Sequence, residues 1–112
     1  MTLQINVSEM KRVRLFEVAG RVDSVNANEF GAALDQAIKD GKRNLVLDLG
    51  GVEYMSSAGL REMVRVLKQV RREGGDVRLA ALSERVQEVL ELAGLDTIFE
   101  IYPTQVEAVG SF

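Results

Sequence analysis

Two adjacent serines, Ser56 and Ser57, stand in the stretch YMSSAGL directly before an amphipathic segment. A hydroxyl at such a place could cap a helix by accepting hydrogen bonds from its first N–H groups. It could instead act as a nucleophile, or accept a phosphoryl group that adds about −1.5 to −2 charges at pH 7. The small residues that follow, Ala58 and Gly59, permit a tight turn or the close approach of a partner's backbone.

The composition argues against the nucleophile. The 112 residues include no histidine, which is the usual general base for a catalytic serine. A lysine could replace it only if buried, and the sequence around Lys39, Lys42 and Lys68 is typical of solvated positions. There is no cysteine either, so disulfides and thiolate metal sites are excluded. We therefore expect a binding protein rather than an enzyme, without a cofactor or a metal.

Charge and hydropathy limit the classes of partner that the chain is expected to bind. The net charge is −3 and the isoelectric point is about 5.0, whereas nucleic-acid binders usually carry a basic excess. No apolar run approaches the ~20 residues that cross a bilayer, and the N-terminus lacks the pattern of a secretory signal. With 46% apolar residues and no linker-like stretch, residues 1–112 are expected to form one cytoplasmic domain that binds neither nucleic acid nor membrane.

Hydrophobic periodicity predicts an α/β fold. Apolar alternation and short apolar runs indicate strands, and stripes at i, i+3 and i+4 indicate helices. The predicted order is β-β-α-β-α-β-α-β-α, with a first hairpin turning at 8–11 and strands near 2–7, 13–20, 44–51, 76–82 and 96–102. Strands that alternate with helices after a hairpin imply a mostly parallel sheet in a small sandwich with about four helices.

The helices carry capping signals. Asn26 with Glu29 resembles a capping pair for the first helix, and Ser83 is expected to cap the third. The second helix is predicted over about 60–72. Its expected core stripe is Leu60, Met63, Val64, Leu67 and Val70, and that of the third helix is Val86, Val89, Leu90 and Ala93.

A basic stripe follows the second helix on another face. Its members at i, i+4, i+7 and i+11 are Arg61, Arg65, Lys68 and Arg72. A solvated helix face explains this pattern, because acidic residues lie close by. The alternative is a contact surface for an acidic partner, with Arg61 near a phosphate on the serine pair.

The predicted order places YMSSAGL between the end of a central strand and the start of a helix. Functional sites gather at the carboxyl ends of strands in open α/β sheets. A helix N-terminus tolerates a phosphate, with about 0.3–1 kcal/mol of dipole stabilisation. A partner docked over the same spot would have to desolvate that charge, so both a cap and a phosphorylation switch remain open for the pair.

Over nearly its whole length the sequence resembles the STAS family, and within it the stand-alone bacterial anti-sigma factor antagonists. The resemblance lies in GRVDSVNANEF, in the run from NLVLDLGG through YMSSAGL to RLAAL, and in VQEVLELAGLDTIFEIYPT. It implies the STAS fold and a monomer that binds a serine-kinase anti-sigma factor. It also implies that phosphorylation releases this partner, and that a PP2C-type phosphatase resets the switch.

The resemblance also implies roles for individual residues. The family motif commonly reads Asp-Ser-Ser/Thr-Gly-Leu, so its acceptor falls on Ser57, with Ser56 as the fallback acceptor. Asp23 matches an early-loop acid that faces the kinase, or it is a turn residue. Asp48 matches the acid that ends the central strand, where it contacts the partner or bonds loop amides. The alternative function is a STAS scaffold that is not phosphorylated, or a module that binds a nucleotide or lipid.

Overall fold

The computed structural model describes residues 2–112, and within that range the chain forms five strands and four helices. The predicted order of elements and the α/β class are confirmed. The elements are β1 (Gln4–Met10), β2 (Val13–Val22), α1 (Ala27–Lys39), β3 (Asn44–Met55), α2 (Ser57–Arg72), β4 (Asp76–Ala80), α3 (Glu84–Ala93), β5 (Glu100–Tyr102) and α4 (Gln105–Gly110).

The sheet is parallel except at its first strand. Its order is β1-β2-β3-β4-β5, with β1 antiparallel to β2 and every later pair parallel. Parallel neighbours need crossover connections, which the helices supply. The carboxyl ends of β2 and β3 therefore lie side by side, where Val22 pairs with Met55.

The two faces of the sheet are covered unequally. Helices α1, α2 and α3 pack on one face, where the main core includes Phe16, Phe30, Leu47 and Met63. The short α4 covers the other face through Ala108 and Val109. The run Leu45–Leu47 is buried on both faces, as its continuous apolar character predicts. No helix between residues 2 and 112 has the length and apolar character needed to cross a membrane.

Several boundaries differ from the sequence prediction, and β5 is the shortest of the strands because it begins at Glu100 rather than near residue 96. Strand β1 continues to Met10, and the hairpin turns at Lys11, whose φ of 59° lies in the left-handed region. Because neither Gly nor Asn stands at the turn, residue types do not indicate its position. Strand β3 runs on to Met55, and α2 begins at Ser57 rather than near Leu60.

An arginine joins the hairpin to the end of α1. Arg14 donates to Glu9 and, at 2.7 Å, to Asp40. These hydrogen bonds lower the pKa of both carboxyls below their ordinary values of 4.5 and 3.8. A lowered folded-state pKa stabilises the fold fully above the ordinary value, and the contribution disappears as the pH falls through the folded-state value.

We therefore expect acid to destabilise the wild type more than an Arg14→Gln variant. The free energy of unfolding, measured with urea between pH 6 and pH 3, should fall more steeply in the wild type. Arg12→Gln is the control, because Arg12 forms no ion pair within residues 2–112. Equal slopes for the wild type and Arg14→Gln would contradict the role given to Arg14.

Candidate functional site

The two serines occupy different environments at the start of α2. Ser56 is the N-cap of α2 and is buried, with 8% of the residue exposed. Its Oγ accepts a hydrogen bond from the Gly59 N–H at 3.1 Å, and its own N–H donates to the Val22 carbonyl at 2.8 Å. Ser56 thus fastens the helix start to the end of β2.

Ser57 is the first helical residue and is exposed. Its hydroxyl has no hydrogen-bond partner among the residues that the structure describes. Arg61 follows one turn later, and both residues line the same groove. The structure therefore brings together a free hydroxyl, a helix N-terminus and a nearby cation.

Removing the Ser56 hydroxyl should destabilise the chain. Ser56→Ala leaves first-turn N–H groups without their acceptor, and loss of such a cap costs about 1 kcal/mol. The melting temperature should fall by about 4 °C. Ser57→Ala is the matched control and should change the free energy of unfolding by less than about 0.5 kcal/mol. Equal losses for both variants, measured by thermal unfolding, would contradict the division of roles between the serines.

Gly59 serves the packing of the chain itself. It is buried, and a Cβ on it would lie 2.5 Å from Met55 Sδ and 2.7 Å from Val22 Cγ1. Only a residue without a side chain lets α2 approach the ends of β2 and β3 this closely. This differs from our expectation that the residue leaves room for a partner. Ala58 is half-buried and is the neighbour that still borders Ser57 on the surface.

Asp23 organises the loop between β2 and α1. Its Oδ1 accepts from the N–H groups of Val25 and Asn26, both at 3.0 Å. Asn26 returns the interaction, because its Oδ1 accepts from the Asp23 N–H at 2.9 Å. The predicted Asn26–Glu29 capping pair is wrong, since the Asn26 side chain is used in this loop and makes no cap bond to α1. Because Val22 immediately precedes Asp23 and bonds Ser56, this ordered loop borders the serine pair.

Asp48 lies away from the serines. It does not end the central strand, since β3 continues seven residues further to Met55, roughly 20 Å along a strand. Its Oδ1 accepts from the Gly50 N–H at 2.9 Å, and its Oδ2 accepts from the Gln105 side chain of α4. Asp48 therefore connects β3 to α4 on the sheet face opposite α2. Asp48 therefore forms hydrogen bonds within the chain and lies away from the serine pair.

The basic stripe on α2 divides into paired and unpaired cations. Arg65 makes two parallel hydrogen bonds of 3.0 Å to Asp35 of α1 and a third to Glu62, and these bonds raise the pKa of its guanidinium. Arg65 thus links α2 to α1. Arg61 and Lys68 are exposed and form no ion pair within residues 2–112. These two cations stay available to a partner.

One residue of the predicted α3 stripe, Ala93, is exposed, whereas Val64 of α2 is partly buried and packs against the main core. Both residues line the groove that Ser57 and Arg61 share. The buried stripe of α2 also includes Val66. Helical periodicity marks both Val64 and Val66 as apolar, but it contains no signal for the gap between α2 and α3.

The chain is similar to known proteins over most of its length. The profile of the family described as STAS domain matches residues 4–108. The Bordetella bronchiseptica protein BtrV is 40% identical over 93 residues, which cover 83% of this chain and 80% of BtrV. The Bacillus subtilis anti-sigma-B factor antagonist is 30% identical over 101 residues, covering 90% of this chain and 92% of that protein.

Solved structures share the whole fold. The crystal structure of an anti-sigma factor antagonist from Mycobacterium paratuberculosis superimposes with a TM-score of 0.89 at 27% identity. The superposition covers 98% of this chain and 93% of that one. The similarity thus extends over both the sheet and the segment that carries the serine pair.

Proposed function

The chain belongs to the STAS domain family, and from that premise we propose that it is an anti-sigma factor antagonist switched by phosphorylation of Ser57. The unmodified chain binds a serine-kinase anti-sigma factor and thereby frees a sigma factor. The kinase phosphorylates Ser57 and then dissociates from the chain. A PP2C-type phosphatase removes the phosphate. Relatives named as anti-sigma factor antagonists support the first part of this proposal.

The different environments of the two serines carry the proposal. Ser57 is exposed at the first position of α2, while Ser56 is buried and occupied as the cap. A kinase must place the acceptor hydroxyl against the γ-phosphate of ATP. It therefore needs a hydroxyl that is exposed and not engaged in a hydrogen bond within the chain. Ser57 meets that need, and Ser56 would first have to give up its bond to Gly59.

The electrostatics of α2 support a switch that leaves the fold intact. The first turn of α2 has no acidic residue, so a phosphate on Ser57 meets the positive end of the helix dipole without a like charge in that turn. Arg61, one turn further along, can approach the phosphate oxygens. A partner seated over Ser57 would have to desolvate about two negative charges. The free-energy cost of that desolvation to binding is far larger than any effect of the phosphate on the stability of the free chain.

The partner surface that we propose surrounds Ser57. Its exposed members are Ser57, Arg61 and Arg65, beside the half-buried Ala58, while the buried Ser56 and Gly59 shape it indirectly by fixing the start of α2. Asp23 contributes by holding its loop beside the serines, where exposed Val25 adds an apolar contact. Asp48 supports the fold at a distance from this surface.

A reconstitution tests the function. The purified chain is added to a complex of its serine-kinase anti-sigma factor and sigma factor, with and without ATP. We expect the chain to release the sigma factor stoichiometrically, ATP to reverse the release, and a PP2C-type phosphatase to restore it. Absence of binding to the kinase would contradict the proposal. Binding without phosphoryl transfer would favour a STAS scaffold that is not phosphorylated.

A further inference from the structure

A groove between α2 and α3 combines apolar surface with unpaired positive charge. Its volume is about 690 Å³, and Ser57 marks the end nearest the start of α2. The apolar lining consists of Leu60, Val64, Ala93 and Leu95, and the unpaired cations are Arg61 and Lys68. Leu60 forms the floor with 7% exposure, Val64 is partly buried, and Ala93 is exposed.

The charges in this groove oppose the net charge of the chain. Arg61, Arg65 and Lys68 line it together with the single acid Glu62, although the whole chain carries a net charge of −3. Glu62 is already bound to Arg65 at 2.8 Å. The groove therefore attracts an acidic partner and repels a basic one, and its apolar lining requires side chains that fill it.

We propose that this groove binds an acidic amphipathic helix of the serine-kinase anti-sigma factor, an inference that rests on the proposed function. Arg61 and Lys68 are seven residues apart on α2, which is about 10 Å along the helix axis. Two carboxylates at positions i and i+7 of a partner helix match that separation. Apolar side chains at i+3 and i+4 lie on the same face of the partner helix and enter the groove between the cations.

The groove gives phosphorylation a second point of action. A phosphate on Ser57 lies one helical turn from Arg61 and neutralises the cation that would pair with the first carboxylate. The same phosphate repels that carboxylate directly. Modification at the end of the groove therefore weakens a contact that extends about three helical turns beyond the modified residue, to Lys68.

Charge reversal with a matched control tests the groove. Arg61→Glu/Lys68→Glu should weaken binding to the kinase about 100-fold, measured by isothermal titration calorimetry at 150 mM salt. Lys11→Glu/Arg12→Glu changes the net charge equally at the hairpin turn, where neither residue forms an ion pair within the described part of the chain. This control should bind within about threefold of the wild type. If the two double variants bind the kinase with equal affinity, the proposal that the groove binds the kinase is wrong. The proposed function of the chain would be unaffected by that result.

A peptide probe separates the groove from the function. If the wild type does not bind the kinase, the proposed function fails, and an amide NMR titration decides the groove alone. The probe is a 15-residue alanine-based helix with Glu at i and i+7 and Leu at i+3 and i+4. We expect it to shift the amides of Val64, Lys68, Ala93 and Leu95, while a peptide with Lys in place of both Glu does not. Equal shifts from both peptides, or shifts only with GTP or lauric acid, would overturn the proposal.

Discussion

Replacing Ser57 with aspartate should weaken binding to the serine-kinase anti-sigma factor about 100-fold, which corresponds to about 2.7 kcal/mol. The carboxylate places a permanent negative charge on the exposed first residue of α2, where a docked partner would have to bury it. The fold should not suffer, because a negative charge at a helix N-terminus contributes about 0.3–1 kcal/mol of stabilisation. Calorimetric titration measures the affinity, and thermal unfolding of the free chain measures the stability.

The uncharged analogue separates charge from shape. Ser57→Asn has nearly the volume of the aspartate variant, so it should bind within about tenfold of the wild type. An affinity as low as that of Ser57→Asp would show that the bulk of the side chain, and not its charge, disrupts binding. A melting temperature reduced by more than about 5 °C in Ser57→Asp would show that the charge disturbs the fold itself.

Replacing Gly59 with valine should cost about 3 kcal/mol of stability or more, a large part of the 5–15 kcal/mol typical of a domain. The Cβ alone would lie 2.5 Å from Met55 Sδ and 2.7 Å from Val22 Cγ1, and both neighbours are buried in the main core. Met55 can bend away, but Val22 has no alternative position that keeps β2 paired with β3. We expect the N-terminus of α2 to move, and urea unfolding measures the loss.

Gly110 provides the matched control. It ends α4, and apart from its chain neighbours and the adjoining backbone of α4, no atom of residues 2–112 lies within 4 Å of the place where its Cβ would be. Gly110→Val should change the free energy of unfolding by less than about 1 kcal/mol. Similar losses for both variants would mean that valine destabilises these helices by conformational preference and not by the contact with Val22 and Met55.

The sequence predicts the fold well because each element has its own periodicity. The apolar run at Leu45–Leu47 indicates a strand buried on both faces, and the capping residue Ser83 marks a helix start that the structure confirms. The start of α2 is harder to predict. Ala58 and Gly59 interrupt the apolar stripe, so the pattern begins only at Leu60, whereas the cap bond of Ser56 starts the helix three residues earlier.

The details of the site depend on contacts between distant segments. The two serines are identical as residues, and the bonds of Ser56 to Val22 of β2 and to Gly59 distinguish the buried serine from the exposed one. Asn26 is a residue type that often caps helices, but its side chain instead accepts a hydrogen bond from the Asp23 N–H in the turn before α1. Periodicity likewise does not predict the groove, because it forms between α2 and the end of α3, two segments that are distant in the sequence.

The most direct measurement is the position of the phosphate after the chain has been incubated with its kinase and ATP. Mass spectrometry of proteolytic fragments should find one phosphate per chain on Ser57, and none on a Ser57→Ala variant that still binds the kinase. A phosphate on Ser56, or on any residue away from the start of α2, would contradict the assignment. So would full phosphorylation of Ser57 that leaves the affinity for the kinase unchanged.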